Sequence, residues 1–249
     1  LVFQRGETIY LFLPAQLVET VLKLLRVYVM RAKLTLENAT HSLISIGCSG
    51  PHLPQELGNL GYLVPEAVYD ASVAKNITLV RLSSAKFPRY VLFGELDDIK
   101  RLWGALEVRA APVGLGAWQL LGIQAGIAVV LPETSDLFVP QMLNWPRVGG
   151  VSFKKGCYTG QEVVARIKTY GGLNRKLSGL VFDKGGLPRT GDKVVKNKEE
   201  LQKIFSEPCW ARRHFLRRAR SCMRVILLRR YSILMIETRP FSQRGCKTR

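Results

Sequence analysis

Apolar positions in the first hundred residues follow two periods. Residues 9–13 alternate weakly and predict a strand ended by Pro14. The segment AQLVETVLKLLRVYVMRAK follows. It places Val18, Val21, Leu25 and Tyr28 on one helical stripe. Short strands are expected at residues 33–36 and 43–48, the second stopped by Gly50-Pro51. Residues 61–70 read as loop and short helix. β-Branched and aromatic runs at residues 77–82 and 90–94 predict two more strands. Residues 95–106 then line up Leu96, Ile99, Leu102, Trp103 and Leu106 on one helical face. Strand followed by helix thus occurs at residues 9–31 and again at 89–107. This loose repeat predicts an α+β layer with a sheet on one side and helices on the other.

The second half is less regular. Residues 117–126 are small and apolar, with Trp118 near their start. A proline-punctuated loop leads to VSF, read as a short strand. Thr159-Gly-Gln-Glu162 matches a capping box ahead of an apolar helical start at Val163. That helix is expected over residues 160–170, stopped by Gly171-Gly172, with a strand at 177–182 behind it. After about Val195 no period and no turn grammar are visible, so the end of the chain reads as an aberrant basic tail.

Charge sharpens that contrast. Residues 196–249 hold 15 Lys+Arg against 4 Asp+Glu, a net of +11 out of +18. The body of the chain is only moderately basic, which suits an anionic ligand. The hydrophobic fraction, 47%, is that of an ordinary globular protein. No apolar run reaches the length of a membrane helix. Five cysteines at irregular spacing, with no C-x-x-C pair and no secretory signal, predict a reducing, cytoplasmic setting. His41, His52 and His214 are isolated, so no metal site is expected.

The densest chemistry lies in GGVSFKKGCYTGQEVVARIKTYGG, residues 149–172. A capping box would put Cys157 two residues before the helix N-cap, beside Lys154 and Lys155. Helix dipole and lysines both favour a thiolate. The same groups would seat a carboxylate or phosphate, and Gly156 and Gly160 would let the backbone approach it. A small buried residue in a tight turn is an equally good reading of Cys157. Trp118 reads first as core and second as the aromatic wall of a pocket. Glu162 and Arg166 read as a cap and an i,i+4 surface pair.

These residues also carry a resemblance. FVPQMLNWPRVGGVSFKKGCYTGQEVVAR, and within it KGCYTGQE at residues 155–162, resembles the signature of the YgfZ folate-binding proteins, relatives of the glycine-cleavage aminomethyltransferase. Pro140-Gln141, Asn144 and Gly149 to Lys154 fit as well. The resemblance is good over residues 118–182 and weaker before them. It implies an aminomethyltransferase-like fold, α+β domains around a channel followed by a small C-terminal β-barrel. It implies tetrahydrofolate or a derivative in that channel. It implies a role in assembling or repairing iron–sulfur enzymes, including a tRNA-modifying one, with no settled catalytic reaction.

Residue by residue, Cys157 matches the family's functional thiol and Trp118 its folate-contacting tryptophan. Lys155, Gly156, Tyr158, Gly160, Gln161, Glu162 and Arg166 are carried over as its ligand-binding neighbourhood. Three departures stand out. The family's first segment, with a second folate-contacting tryptophan, would precede Leu1, which predicts N-terminal truncation. Gln124 stands where the family has an acidic residue. The barrel should follow Gly191-Asp192, and the tail does not look like it. The expected organisation is a partial α+β domain over 1–107, a folate-binding segment over 108–182, and the start of a barrel then an aberrant tail over 183–249.

Three functions follow. The favoured one is a folate-binding accessory protein in iron–sulfur enzyme maturation, linked to tRNA modification. The second is a folate-dependent aminomethyltransferase-type enzyme, which Gln124 disfavours. The third is an RNA-binding module using the arginine-rich end.

Overall fold

The computed structural model describes residues 1–30, 32–173, 175–179, 190, 193–196, 199–203, 223–227 and 231–238. The chain runs through β1 (Val2–Arg5), β2 (Thr8–Pro14), α1 (Val18–Val29), β3 (Leu34–Asn38), β4 (Ile44–Ser49) and α2 (Leu53–Asn59). It continues through β5 (Ala71–Ala74), β6 (Ile77–Leu82), β7 (Arg89–Gly94), α3 (Leu96–Glu107), β8 (Ala110–Pro112), α4 (Leu115–Gln124) and α5 (Gln161–Tyr170). The strands β9 (Lys193–Lys196), β10 (Glu199–Lys203), β11 (Met223–Leu227) and β12 (Tyr231–Thr238) close it.

Two sheets face each other. One is four-stranded, ordered β1-β2-β12-β3; the other is six-stranded, ordered β5-β6-β7-β4-β11-β8. All neighbours are antiparallel except β11 and β8. The period-2 pattern fixes which side chains go where. In β2, Tyr10 and Phe12 point between the sheets, while Leu11 and Leu13 point to α1. In β7, Val91 and Phe93 point between the sheets, while Tyr90 and Leu92 point to α2 and α3. The result is four layers: α1, the four-stranded sheet, the six-stranded sheet, then α2 and α3.

An aromatic group fills the space between the sheets. Phe3 stacks on Phe93 at 4.3 Å between ring centroids, and Phe12 meets Phe93 edge-on at 5.2 Å. The outer layer holds Ile99, Leu102 and Leu106 of α3, all buried as the sequence pattern predicts. Leu96 and Tyr28, assigned to the same kind of stripe, are instead exposed, because each sits in a terminal turn of its helix.

The mixed α/β class is as expected, but two sheets face each other with helices outside, where one sheet backed by helices was expected, and the described residues form no closed barrel. After Gly191-Asp192, where the start of a barrel is expected, β9 and β10 pair as a separate antiparallel two-stranded sheet, and most of the residues that follow lie outside the described ones. So does most of the strand expected at 177–182; residues 177–179 form none. No strand forms at VSF either, where the backbone bends. The short helix expected within 61–70 lies earlier, at α2, initiated by Pro54 at its second position. The strands β1, β5 and β8 escaped notice because they are only three or four residues long.

The end of the chain departs most from expectation. Residues 231–238, within the stretch that shows no pattern, form the central strand β12 of the four-stranded sheet. It pairs with β2 along Tyr231 to Glu237 and with β3 along Leu234 to Thr238. Ile233 enters the inter-sheet core at 2% exposure, and Leu234 packs under α1 at 1%. A central strand is apolar on both faces, so YSILMI shows no alternation to read. Among the described residues no helix is long and apolar enough to cross a membrane.

This placement makes β12 structural. Ile233→Ala is expected to lower stability by about 2–5 kcal/mol, as for other buried large-to-small changes. Urea unfolding followed by circular dichroism checks it; a change below the lower bound would show that β12 contributes little to the core.

Candidate functional site

The site residues fall into two clusters on neighbouring parts of the chain. The first surrounds Trp118 in α4, which lies across one end of the space between the sheets. Trp118 is 3% exposed. Its indole rests against β4 at Gly47, where a Cβ would come within 2.8 Å of two ring carbons. A glycine is therefore what lets the ring lie flat on the strand. The other face is covered by a cation. The Arg89 guanidinium stands 3.7 Å from the ring centroid, and its Nη2 donates to the Trp118 carbonyl at 3.1 Å.

Arg89 was not singled out from the sequence. It begins β7, two residues before Val91 and four before Phe93, so strand alternation turns it into the space between the sheets. That inward arginine in PRYVLFG was the available signal. The residue is 4% exposed, and its Nε has no hydrogen-bond partner among the described residues. Among the described residues, no carboxylate forms an ion pair with it. Its electrostatic neighbours are Tyr231 and Tyr69, and burial pulls its pKa down to about 10 against their opposing effect.

The second cluster is the segment around Cys157. It is exposed, so the reading of a small buried residue does not hold for this cysteine. The expected box from Thr159 to Glu162 is not formed. The N-cap is Gly160, in the left-handed region at φ +84°, with no side-chain cap bond. The reciprocal link forms one residue earlier. The Tyr158 N–H donates to Gln161 Oε1 at 3.3 Å, and the Gln161 N–H donates to the Tyr158 carbonyl at 3.1 Å. Glycine at 160 reaches a backbone conformation closed to threonine, and that shifts the helix start to Gln161. Cys157 thus lies three residues before the cap, not two.

Two cation–ring pairs lie on the same stretch of chain. Lys155 Nζ sits 4.7 Å from the Tyr158 ring centroid, and Lys168 Nζ 4.1 Å from that of Phe153. Both are within the range of a favourable cation–ring contact. Lys154, Gly156, Glu162 and Arg166 are exposed, and no ion pair joins Glu162 to Arg166. α5 is held from below by Gln141, whose Nε2 donates to the Val164 carbonyl at 2.7 Å.

The segment leading to Cys157 starts beside the first cluster. Gly149, at φ +77°, lies against Tyr69, whose ring would be 3.2 Å from a Cβ there. Tyr69 in turn faces Arg89. So the structure brings Lys155, Gly156, Tyr158, Gly160 and Gln161 together around the thiol, and places Trp118 in a separate buried cluster with Arg89. Gln124 ends α4 on the surface. Two clefts, of about 430 and 290 Å³, lie beside α3 and are lined by none of these residues.

Comparison with known proteins now bears on these residues. No protein-family model matches the chain. It is 30% identical over 190 residues to the tRNA-modifying protein YgfZ of Yersinia pestis (strain Pestoides F), covering 76% of this chain and 57% of that protein. The proteins of the same name from Klebsiella pneumoniae (strain 342) and Edwardsiella ictaluri (strain 93-146) are 32% and 33% identical. They match 68% and 61% of this chain, and 51% and 45% of their own lengths. The chain belongs to the YgfZ family. It spans about half the length of the curated relatives it matches.

As a test of fit for a folate, the Trp118 cluster offers a buried cation with an unpartnered Nε, suited to an anionic group. The Trp118 ring itself is enclosed by Gly47 and Arg89. The Cys157 cluster offers an accessible thiol. Cys48, by contrast, is fully buried in the α2–α3 core, and burial pushes its thiol far up. Iodoacetamide labelling of the native protein with peptide mapping is expected to modify Cys157 readily and Cys48 only after unfolding. Equal labelling of the two would contradict this arrangement.

Proposed function

We propose that the chain is the folate-binding part of an accessory protein that serves iron–sulfur enzymes linked to tRNA modification in the cytoplasm. The observation that carries this reading is the KGCYTGQE segment: in a chain of the YgfZ family, it stands on the surface with its cysteine exposed. The relatives' name ties them to tRNA modification. Tetrahydrofolate would supply a one-carbon unit or act as its acceptor. Trp118 would contribute the wall of the pocket from within, together with Arg89. Lys155, Gly156, Tyr158, Gly160 and Gln161 would shape the entrance around Cys157, with Glu162 and Arg166 on the outer turn of α5. Cys157 would act as a redox-responsive or transiently nucleophilic thiol, free to reach a partner protein.

Titration with tetrahydrofolate, read by tryptophan fluorescence, tests this. Saturable quenching that weakens in Trp118→Phe is expected. Absence of saturable binding, checked also on a protein of the relatives' full length, would sink the folate reading.

An aminomethyltransferase would need an acidic group to handle its amine, and Gln124 supplies none. A direct RNA contact draws on a different observation. Lys154, Lys155, Arg166 and Lys168 crowd one exposed segment, and two of them lie over aromatic rings. Cations beside exposed rings suit single-stranded nucleic acid. Affinity for a labelled single-stranded RNA is expected to fall steeply with salt. Changing Lys155 and Lys168 to Glu should reduce the slope by about 0.7 per lost phosphate contact. An unchanged slope would rule out this surface.

A further inference from the structure

Arg89 is a full charge placed where water cannot solvate it, at 4% exposure between two sheets. Its surroundings answer that charge only in part. Nη2 reaches one carbonyl, and the indole face lies beneath the guanidinium. Gly122 of α4 backs onto Nη1, where a Cβ would lie 3.5 Å away. Among the described residues, buried Nε has no hydrogen-bond partner and no carboxylate forms an ion pair with the guanidinium. Buried guanidinium groups are normally paired, because the desolvation cost is otherwise uncompensated. A planar fork with a free edge is also the geometry that binds a carboxylate or phosphate through two parallel hydrogen bonds.

Tyr69, 36% exposed, stands beside Arg89 and touches Gly149, the start of the segment that leads to Cys157. Its backbone is itself in the left-handed region at φ +70°, an uncommon conformation for a tyrosine. Tyr69 is thus a partly exposed neighbour that links the guanidinium electrostatically to the start of the motif-bearing segment.

We infer that Arg89 is the seat of an anionic group of a bound small ligand, a carboxylate, with the Trp118 indole holding the guanidinium flat from behind. This rests on the folate reading and deepens it. The ligand's glutamate end would face Arg89, past Tyr69, and its flat ring system would extend toward the Cys157 segment. Trp118 thereby acts as a positioning residue for the arginine.

The test uses the full chain and its Arg89→Met and Arg89→Lys variants. Each is followed by thermal unfolding and by calorimetric titration with tetrahydrofolate, 4-aminobenzoyl-glutamate, a tetrahydropterin lacking glutamate, and inorganic phosphate. A charge kept for a ligand makes the free protein less stable than an apolar replacement would. Arg89→Met is thus expected to melt at the same or a higher temperature, and to bind tetrahydrofolate and 4-aminobenzoyl-glutamate about 30-fold or more weakly. Arg89→Lys, which keeps the charge and loses the fork, should fall between. The pterin should be insensitive to either change.

Equal tetrahydrofolate affinity in Arg89→Met would overturn the assignment and leave the folate reading standing. A lower melting temperature in both variants, with no anion raising that of the unaltered chain, would make Arg89 structural and overturn it too. Arg89-dependent stabilisation by phosphate without folate binding would keep the anion seat and remove the folate reading. No stabilisation by any of the four compounds would end both.

Discussion

The structure hangs on what fills the gap between two sheets at the end where α4 crosses it. An indole lies on a strand at the one position where that strand has no side chain, and a guanidinium lies on the indole. Each member needs the other two. Without the glycine, the ring would be lifted off the sheet. Without the ring, the buried guanidinium would lose the face it lies over and keep the Trp118 carbonyl as its described hydrogen-bond acceptor. Farther in, Phe3, Phe12 and Phe93 complete the same layer with rings alone. The buried charge of this layer thus sits at one end, while Ser45 and Thr78 are the small buried polar residues opposite Phe93.

Much of this was legible in the chain. The helices α1 and α3 follow from their periods because each buries one face and exposes the other, and β6 and β7, buried on both faces for most of their length, follow instead from their β-branched and aromatic runs. The helix α5 was readable from its flanking glycines. What escaped did so for physical reasons. A strand buried on both faces has no period to see, and YSILMIET is such a strand, placed in the middle of its sheet by partners about two hundred residues away. The cap of α5 was displaced by one residue because a glycine at 160 offered a backbone conformation that outweighs the hydroxyl of Thr159. Arg89 was legible in principle: a charged residue in phase with Val91 and Phe93. It passed unnoticed because strand reading attends to apolar residues and discounts charged ones at a strand's first position.

The two clusters divide the labour. Around Cys157, exposure, cations and a turn held by Gln161 present a thiol to other molecules. Around Trp118, burial and a single cation define a place for one small group. One described link between them runs from Arg89 to Tyr69 to Gly149, at the base of the segment carrying the thiol, and Gln141 holds α5 at the Val164 carbonyl. That gives the family's signature a physical sense: its glycines and lysines lie between a buried charge and an open surface.

The position of β12 has a consequence for how this protein comes into being. The strands β2 and β3 are synthesised early but do not meet each other; the strand that joins them follows about two hundred residues later. Until residues 231–238 leave the ribosome, both strands carry unpaired backbone edges and α1 has only part of its apolar floor. Pairing of such high sequence separation is slow, and open edges recruit other chains. Any product that stops short of residue 231 therefore carries open strand edges and a partly uncovered helix floor, a sticky and unfinished state.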